Sequence, residues 1–327
     1  MVRTRAGTAR LLSETASFGL LLSVGFSSIG DLGSLASVSV SLRDATEQAA
    51  KSAISELGGE NALALAAAVQ GASTWRGVAL AFERNLALWL DGRRVQAASN
   101  VVTEWRDAFF KRTGLVARPT SPLHPVLMLE DGVSFRASGR GSEAALFCDL
   151  NGVFSSGGGL ITVASSVSGD CTIIDLCGPR GVAGPRLEIC HGYPQRDDPD
   201  PRNPRICVFA HVPHAFFPVS NLLRGDQRPD GETHIYSILY RPCDDHRLRV
   251  EIFVDGKSEA EGVLSDWDFG QSRLYLGAAA DGSFPLNGVL HDVLIWKGLP
   301  PKAIRGAVEE QLARKHSIQL SAERLAR

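Results

Sequence analysis

The sequence predicts a mainly β protein, a β-sandwich that follows an N-terminal α/β arm and precedes one C-terminal helix. Three observations support this class. The stretch from His234 to Trp296 contains several runs in which apolar and polar residues alternate, the period of a β-strand. Asp255-Gly256 separates two of these runs and favours a type I′ hairpin turn. The 33 glycines suit a fold that is rich in turns.

Composition and charge narrow the classes of function. The 327 residues are enough for one large sandwich with an extension. A charged fraction of 21% and a hydrophobic fraction of 44% argue against general disorder. The net charge of −2 provides no basic surface for nucleic acid. No apolar run reaches about 18 residues, so membrane insertion is not expected.

The first 81 residues differ from the rest and are predicted to form an arm for assembly or attachment. Residues 36–42 alternate Val with Ser and predict a strand. Asp44 and Glu47 have the spacing of a capping box, and Gly58-Gly59 ends the helix that follows. This helix and the Ala-rich one after it are short and would be marginal alone. We therefore expect the arm to pack on the sandwich or on another chain.

The sandwich is predicted over residues 82–320, followed by a tail over 321–327. Its strands are short runs between Gly, Ser and Asp turns. The predicted strands include Val133–Ala137, Ala144–Cys148, Gly159–Ser165, Cys171–Cys177 and Leu187–Cys190. The hairpin around Asp255-Gly256 is predicted to join Leu248–Val254 to Lys257–Val263.

Several motifs in this region match one known family. They are His234, Val254-Asp255-Gly256, Leu274–Gly277, Gly288 and Asp292–Trp296. With these motifs, residues 85–320 resemble the laminin-G-like domains of the concanavalin A-like lectin/glucanase superfamily. The resemblance implies a jelly-roll β-sandwich that ends in a helix, which corresponds to Pro300–Ile318 in this sequence. It also implies a module that binds glycans or proteins on secreted, cell-surface or phage-like particle proteins.

Catalysis is predicted to be absent. Glucanases of the resembled superfamily carry two Glu around an Asp on one strand, where alternation places the carboxylates on one face about 5 Å apart. The sequence contains no such motif, and Glu104 and Asp107 have the wrong spacing. The chain is therefore predicted not to be an enzyme, with a carbohydrate-active enzyme as the alternative. A pair of carboxylates in register within a cleft would favour that alternative.

The ligand site is predicted on two polar loops. The segment His191–Arg205 contains four prolines, which exclude it from a strand ladder, and Asp266–Asp268 forms a second loop with an aromatic residue. An aromatic platform with carboxylates beside it is typical of glycan sites. The predicted ligand-binding residues are Tyr193, Asp197, Asp198, Asp266 and Trp267. Trp89, Trp105 and Trp296 are instead predicted to lie in the core.

No cofactor is required by the sequence, although a calcium ion is possible because Ca²⁺ prefers carboxylate and carbonyl oxygens. Asp197, Asp198 and Asp200 form the predicted metal set. A second set is Asp244, Asp245 and Asp281, and either run of acids is equally typical of a solvated loop. No pair of cysteines has the CxxC spacing of a zinc ribbon. The cysteines are predicted to be buried thiols, with a Cys171–Cys177 disulfide as the alternative in an oxidising compartment.

These observations predict a recognition or structural protein at a cell or particle surface. Its expected partners are a glycan or a surface protein, together with further copies of the chain or components of a larger particle. Residues 1–30 resemble a signal peptide only faintly, since Glu14 interrupts the apolar stretch. An extracellular or particle-surface location is expected, and nucleic acid is not expected as a partner.

Overall fold

The computed structural model describes residues 86–108, 113–121, 123–136, 144–154, 157–167, 169–178, 186–192, 204–211, 222–244, 247–265, 271–300 and 302–321. The predicted arm, with its strand and two helices, lies outside these residues and stays a prediction. The same holds for the domain boundaries. The larger of two compact units comprises residues 87–300 and 312–321 of the described chain.

The described chain contains sixteen strands and one helix. The strands are β1 Leu86–Ala98, β2 Val101–Asp107, β3 Val116–Pro119, β4 Leu127–Met128, β5 Val133–Phe135, β6 Leu146–Phe154, β7 Gly158–Ser166, β8 Cys171–Cys177, β9 Arg186–Gly192, β10 Arg205–His211, β11 Leu222–Arg224, β12 Thr233–Asp244, β13 Arg247–Val254, β14 Lys257–Ser265, β15 Gln271–Leu276 and β16 Gly288–Lys297. The helix, α1, is Lys302–His316.

The strands form two antiparallel sheets that meet at one pairing. The first sheet runs β2, β4, β5, β16, β7, β12, β13, β14, and β1 pairs with both β16 and β2. The second sheet runs β11, β10, β9, β8, β15, β6, β3. Pairing of β2 with β3 joins them, with Trp105 opposite Ala117. The predicted β-sandwich class is confirmed.

The core lies between the inward faces of these sheets. In β9 and β10 the apolar side chains of Leu187, Ile189, Ile206 and Val208 join one buried cluster. The residues between them therefore face the other side of the second sheet, because successive side chains of a strand point to opposite faces. Full burial of each such aliphatic side chain contributes about 1.5–3 kcal/mol.

Trp89, Trp105 and Trp296 are buried, as predicted. The indole of Trp105 donates a hydrogen bond to the carbonyl oxygen of Asp91 at 2.8 Å. The carboxylate of Asp107 accepts a hydrogen bond from the backbone amide of Trp89 at 2.9 Å. Trp105 thus contributes apolar area to the core while its indole N–H is paired.

The predicted hairpin is confirmed between β13 and β14. Val254 at the end of β13 pairs with Tyr236 of β12 on one side. It pairs with Lys257 of β14 across the turn on the other side. Asp255 has φ 50° and Gly256 has φ 78°, the positive values of a type I′ turn. The Asp-Gly dipeptide therefore predicted both the position and the type of this turn.

The predicted C-terminal helix is also confirmed. Its last turn contains Arg314, Lys315 and His316, whose positive charge complements the negative end of the helix dipole. Ser317 follows with φ 56° and ends the helix. In the described part of the chain, no helix is long and apolar enough to cross a membrane.

Five cysteines are buried free thiols, as predicted, and Cys243 is exposed. Cys171 and Cys177 lie at opposite ends of β8. At the usual rise per residue of a strand their Cα atoms are about 20 Å apart, which is too far for a disulfide. The alternative of a bridge between them is therefore wrong.

Candidate functional site

The residues predicted to bind a ligand or calcium lie outside the described residues. They are Tyr193, Asp197, Asp198, Asp200, Asp266 and Trp267. Their roles stay predictions. Of the second acidic set, Asp245 is also outside, and Asp281 accepts a hydrogen bond from the backbone amide of Ser283 at 2.9 Å within its own turn.

The outward face of the second sheet carries a continuous row of polar and aromatic side chains. One residue comes from each of six neighbouring strands, and each is the register partner of the next. In sheet order this outer row is Phe209, Glu188, Asp175, Tyr275, Phe147 and Arg118. The register, set by the alternation of each strand, thus brings together residues that are up to 157 positions apart — from Arg118 to Tyr275 — in the sequence.

Accessibility changes along the outer row. Phe209, Glu188 and Asp175 are buried, and the last two have no exposed surface at all. Tyr275 and Phe147 are partly exposed, and Arg118 is exposed. Exposure therefore decreases along the row, from Arg118 through the two aromatic rings to the buried carboxyl groups.

Asp175 and Glu188 face each other directly across β8 and β9. Residues in such positions have Cβ atoms about 4.5–5.5 Å apart, which brings their carboxyl groups within reach of one substrate atom or of each other. Thr172 donates a hydrogen bond from its hydroxyl to Glu188 Oε1 at 2.5 Å. Two carboxyl groups of this kind, buried side by side, are unusual unless paired or protonated.

Asp175 has partners on one of its two oxygens only. Oδ2 accepts hydrogen bonds from Arg186 Nη1 at 3.2 Å and from the backbone amide of Ala280 at 2.8 Å. Oδ1 is buried and has no hydrogen-bond partner in the described part of the chain. This oxygen is therefore the one available to carry a proton.

Burial raises the pKa of Asp175 to about 7; the Arg186 guanidinium lowers it, and the neighbouring Glu188 raises it again. Desolvation thus outweighs the ion pair with Arg186, because a buried carboxylate loses its hydration in full. A carboxyl group with a pKa near neutrality can donate and accept a proton at physiological pH.

The aromatic part of the row lies beside this pair of carboxyl groups. The rings of Phe147 and Tyr275 have centroids 5.2 Å apart and are tilted by 50°. Burial also raises the pKa of the Tyr275 hydroxyl. At the exposed end, Arg118 forms an ion pair with Glu104 at 2.9 Å. The outer row therefore brings partly exposed ring surface and a hydroxyl group next to two buried carboxyl groups.

A second feature is an open cleft of about 340 Å³ beside the β13–β14 turn, the His234 cleft. Its walls include Asp226, Gln227, Asp255, Lys257 and Glu259. Most of the residues that line it have polar side chains, although their aliphatic parts provide much of the wall.

His234 in this cleft bridges two carboxylates. Its Nδ1 lies 2.7 Å from Asp255 Oδ2, and its Nε2 lies 3.1 Å from Asp230 Oδ2. Burial lowers the pKa of His234, but the hydrogen bonds and charges of Asp255 and Asp230 outweigh it, so the pKa lies above its usual value. Asp255 Oδ1 also accepts the amide of Ile235 at 2.8 Å, which ties the histidine to the hairpin turn.

No family model and no curated protein matches the sequence. Among solved structures, the chain is similar to a sialidase of Trypanosoma rangeli, with 12% identity and a TM-score of 0.47, covering 70% of this chain and 32% of the sialidase. It is similar to alginate lyase Aly36B, with 9% identity and a TM-score of 0.42, covering 65% of this chain and 98% of the lyase. A third is the lumenal domain of VIP36 in a Ca²⁺- and Man2-bound form, with 10% identity, a TM-score of 0.40 and coverage of 65% and 89%. These similarities concern architecture and assign no ligand to the chain.

The prediction that the chain is not an enzyme is wrong. Its premise was that catalytic carboxylates would have to lie along one strand, whereas Asp175 and Glu188 are paired across two. The sialidase and the alginate lyase among the similar structures are named as enzymes.

Proposed function

We propose that this protein is a carbohydrate-active enzyme that cleaves a glycosidic bond at the outer row. The observation that carries the proposal is the cross-strand pair of Asp175 and Glu188, one of which has a pKa near neutrality. Glycoside hydrolysis needs one carboxyl group that is protonated and a second that is charged, about 5 Å apart when the configuration is retained.

The roles follow from the surroundings of each carboxyl group. Asp175, with a pKa of about 7, is protonated in a large share of molecules at neutral pH and donates its proton from Oδ1 to the glycosidic oxygen as the bond to the anomeric carbon breaks. Glu188, held by Thr172, provides the carboxylate that attacks the anomeric carbon. Water then hydrolyses the glycosyl intermediate, and Asp175 recovers its proton from that water.

Substrate enters from the aromatic end of the outer row. A pyranose ring presents an apolar face that packs on aromatic rings, and Tyr275 and Phe147 are the partly exposed rings next to Asp175. Because Asp175 and Glu188 have no exposed surface in this state, the groups around them must separate when the sugar binds. Opening of this kind is common where closure also excludes water from the reaction.

The proposal is tested by release of reducing ends from a panel of polysaccharides. Asp175→Asn and Glu188→Gln should each reduce turnover by about 10²–10⁴-fold, the usual contribution of acid–base groups. Glu261→Gln, an exposed carboxylate paired with Arg249 on the first sheet, is the matched control and should leave turnover unchanged. Equal turnover in all four proteins, with folding checked by circular dichroism, contradicts the proposal.

A second function, recognition of a glycan at the His234 cleft, is supported by its open volume and its polar lining. Hydroxyl groups of a sugar would bond to Gln227, Lys257 and the carboxylates beside His234. Lys257→Ala, in a largely exposed position, should weaken binding of an oligosaccharide without changing turnover of a short substrate. If Lys257→Ala binds the oligosaccharide with unchanged affinity, glycan recognition at the His234 cleft is contradicted.

We also propose that residues 1–81 attach the sandwich to other copies of the chain or to a cell or particle surface. The support is the sequence alone, since the short helices of this arm are too narrow on their apolar side to be stable in isolation. For the predicted loops of the sandwich, we propose that Tyr193 and Trp267 contact the ligand. Asp197, Asp198 and Asp200 are the proposed calcium ligands.

A further inference from the structure

A second cluster of titratable groups lies in the first sheet, apart from the outer row and the His234 cleft. It consists of Asp131, in the turn between β4 and β5, His291 in β16 and His316, the last residue of α1. Each offers one potential ligand atom, and the three atoms lie within 4.8 Å of one another. Two imidazoles and a carboxylate are a common donor set for a transition metal.

The spacing suits a metal with short bonds. His291 Nδ1 lies 3.3 Å from Asp131 Oδ1, and His316 Nδ1 lies 3.5 Å from Asp131 Oδ2. Donors around a tetrahedral Zn²⁺ at 2.0–2.1 Å are about 3.3–3.4 Å from one another. The two imidazole rings have centroids 4.8 Å apart, so a small rotation of each would complete the set.

A buried carboxylate orients one of these histidines. His316 Nε2 lies 2.7 Å from Asp292 Oδ2, and Asp292 has no exposed surface. The carboxylate can only accept, so Nε2 carries the proton and Nδ1 is the nitrogen that faces Asp131. Carboxylates commonly hold metal-binding histidines in this way, and they increase the basicity of the ligating nitrogen.

Asp292 is itself held in place. It accepts hydrogen bonds from Lys315 Nζ at 2.7 Å and from the indole of Trp89 at 3.3 Å. Lys315 also donates to Asp91 Oδ1 at 3.0 Å. The orienting group is therefore fixed by three elements, β1, β16 and the end of α1, and does not depend on a flexible side chain.

The backbone around the cluster is shaped for close approach. The register of β16 with β7 shifts between Leu290 and Asp292, so His291 is the extra residue of a bulge, a feature that redirects a side chain. A Cβ on Gly132 would lie 2.5 Å from the carbonyl oxygen of Leu290 and 3.1 Å from His291 Nδ1. Any larger residue there would displace the histidine.

We propose that Asp131, His291 and His316 bind one Zn²⁺ or a similar divalent transition metal, with a water molecule in the fourth position. Asp131 is 47% exposed, which leaves an open side for ion and water, while His316 is almost fully buried. This donor set differs from the all-oxygen set predicted for calcium, because imidazole favours zinc. The proposal is independent of the carbohydrate chemistry on the second sheet.

A further close contact of the cluster involves the backbone. His291 Nδ1 lies 3.2 Å from the carbonyl oxygen of Asp131 as well as 3.3 Å from its carboxylate, so this nitrogen faces oxygen atoms of both the main chain and the side chain of Asp131.

The test is calorimetric titration of the metal-free protein with zinc sulfate, with exposed Cys243 replaced by Ser in every variant to remove its thiol. One site per chain is expected. Asp131→Asn and His291→Gln should each lower the affinity 10-fold or more, and Asp292→Asn should lower it about 10–100-fold through orientation alone. His234→Gln, another histidine between two carboxylates, is the matched control and should bind zinc as the parent does.

Two further readouts separate metal binding from loss of structure. Zinc should raise the melting temperature of the parent and of His234→Gln but not of Asp131→Asn, whose exposed position lets the fold persist. Cobalt in place of zinc should give the visible absorption of a four-coordinate site in the parent and in His234→Gln but not in Asp131→Asn. An affinity that is unchanged in both Asp131→Asn and His291→Gln, or no saturable site in the parent, overturns the proposal.

Discussion

Single charged residues within apolar strands mark the candidate site. Asp175 interrupts the run Cys-Thr-Ile-Ile-Asp-Leu-Cys in β8, and Glu188 interrupts Leu-Glu-Ile-Cys in β9. Such interruptions are visible in the sequence, because an isolated acid in a strand with both faces buried needs a partner or a proton. The sequence does not show that these two acids are opposite each other, since that depends on the register of two strands joined by a loop.

The titration of Asp175 is the first prediction at this scale. Its carboxyl group should titrate near pH 7 in the folded protein, since burial raises its pKa to about 7 from roughly 3.9 in the unfolded chain. Folding then takes up a proton between about pH 4 and pH 7, so this group lowers the free energy of unfolding as pH rises through that window. Carbon-13 NMR of labelled carboxyl groups, assigned with Asp175→Asn, measures it, and a midpoint below pH 4 contradicts it.

The pH dependence of turnover follows from the same group. Asp175 acts as a proton donor, so activity should fall as pH rises above about 7. Replacing Arg186 with Met removes the nearest positive charge and should move this alkaline limb upward. If the alkaline limb of the pH profile has the same midpoint in Arg186→Met as in the parent, the group that titrates is not Asp175.

Gly256 provides a prediction about the backbone. Its φ of 78° lies in the left-handed region, which β-branched residues avoid. Gly256→Val should therefore lower the free energy of unfolding by about 1–2 kcal/mol, measured by urea denaturation. Gly256→Asn should lower it less, because Asn tolerates positive φ. Equal losses for the two variants would show that φ is not the cause.

At the scale of elements, the sequence predicted what depends on local pattern. The β13–β14 hairpin followed from Asp255-Gly256, whereas α1 was expected only from the family resemblance. The bulge at His291 could not be predicted in this way, because it is defined by the partner strand β7. The same bulge lets His291 contact Asp131 while the next residue, Asp292, contacts His316. The sequence therefore did not predict the cluster of Asp131, His291 and His316.

The contact between β16 and the end of α1 carries a prediction. Asp292→Ala leaves Lys315 and His316 without their buried acceptor, and the loss of one partner of a buried ion pair costs about 3–5 kcal/mol. Lys315 still has its hydrogen bond to Asp91 in this variant. We therefore expect the free energy of unfolding, measured by urea denaturation, to fall by about 3 kcal/mol, the lower end of that range. Glu261→Ala, which removes an exposed ion pair with Arg249, should cost under about 1 kcal/mol. Similar losses in the two variants would contradict a structural role for Asp292.

At the scale of the whole molecule, the sequence predicted the fold class but not the order of strands. Alternation and turn residues identify strands one at a time, whereas the pairing of β8 with β15, or of β7 with β16, joins segments that are about a hundred residues apart. The prediction that Tyr193 and Asp266 bind a ligand depends on aromatic residues with carboxylates beside them in the sequence, which is a local pattern. The outer row depends on the register of six strands, which no local pattern shows.

The arm provides a prediction for the intact chain. Deletion of residues 1–81 should abolish self-association or surface attachment while the sandwich remains folded, because the apolar small-residue segment is then missing. Light scattering after size-exclusion chromatography measures the mass of both forms. A full-length chain that is monomeric under all conditions contradicts the role of residues 1–81 in assembly.

The most direct measurement is a crystal structure of Asp175→Asn soaked with an oligosaccharide that the unaltered protein cleaves. The sugar should lie on the outward face of the second sheet, with one ring packed on Tyr275 and Phe147 and its glycosidic oxygen within hydrogen-bond distance of residue 175. Glu188 should be within reach of the anomeric carbon on the other side. A sugar bound in the His234 cleft, with the outer row still closed and empty, would contradict the proposed role of Asp175 and Glu188.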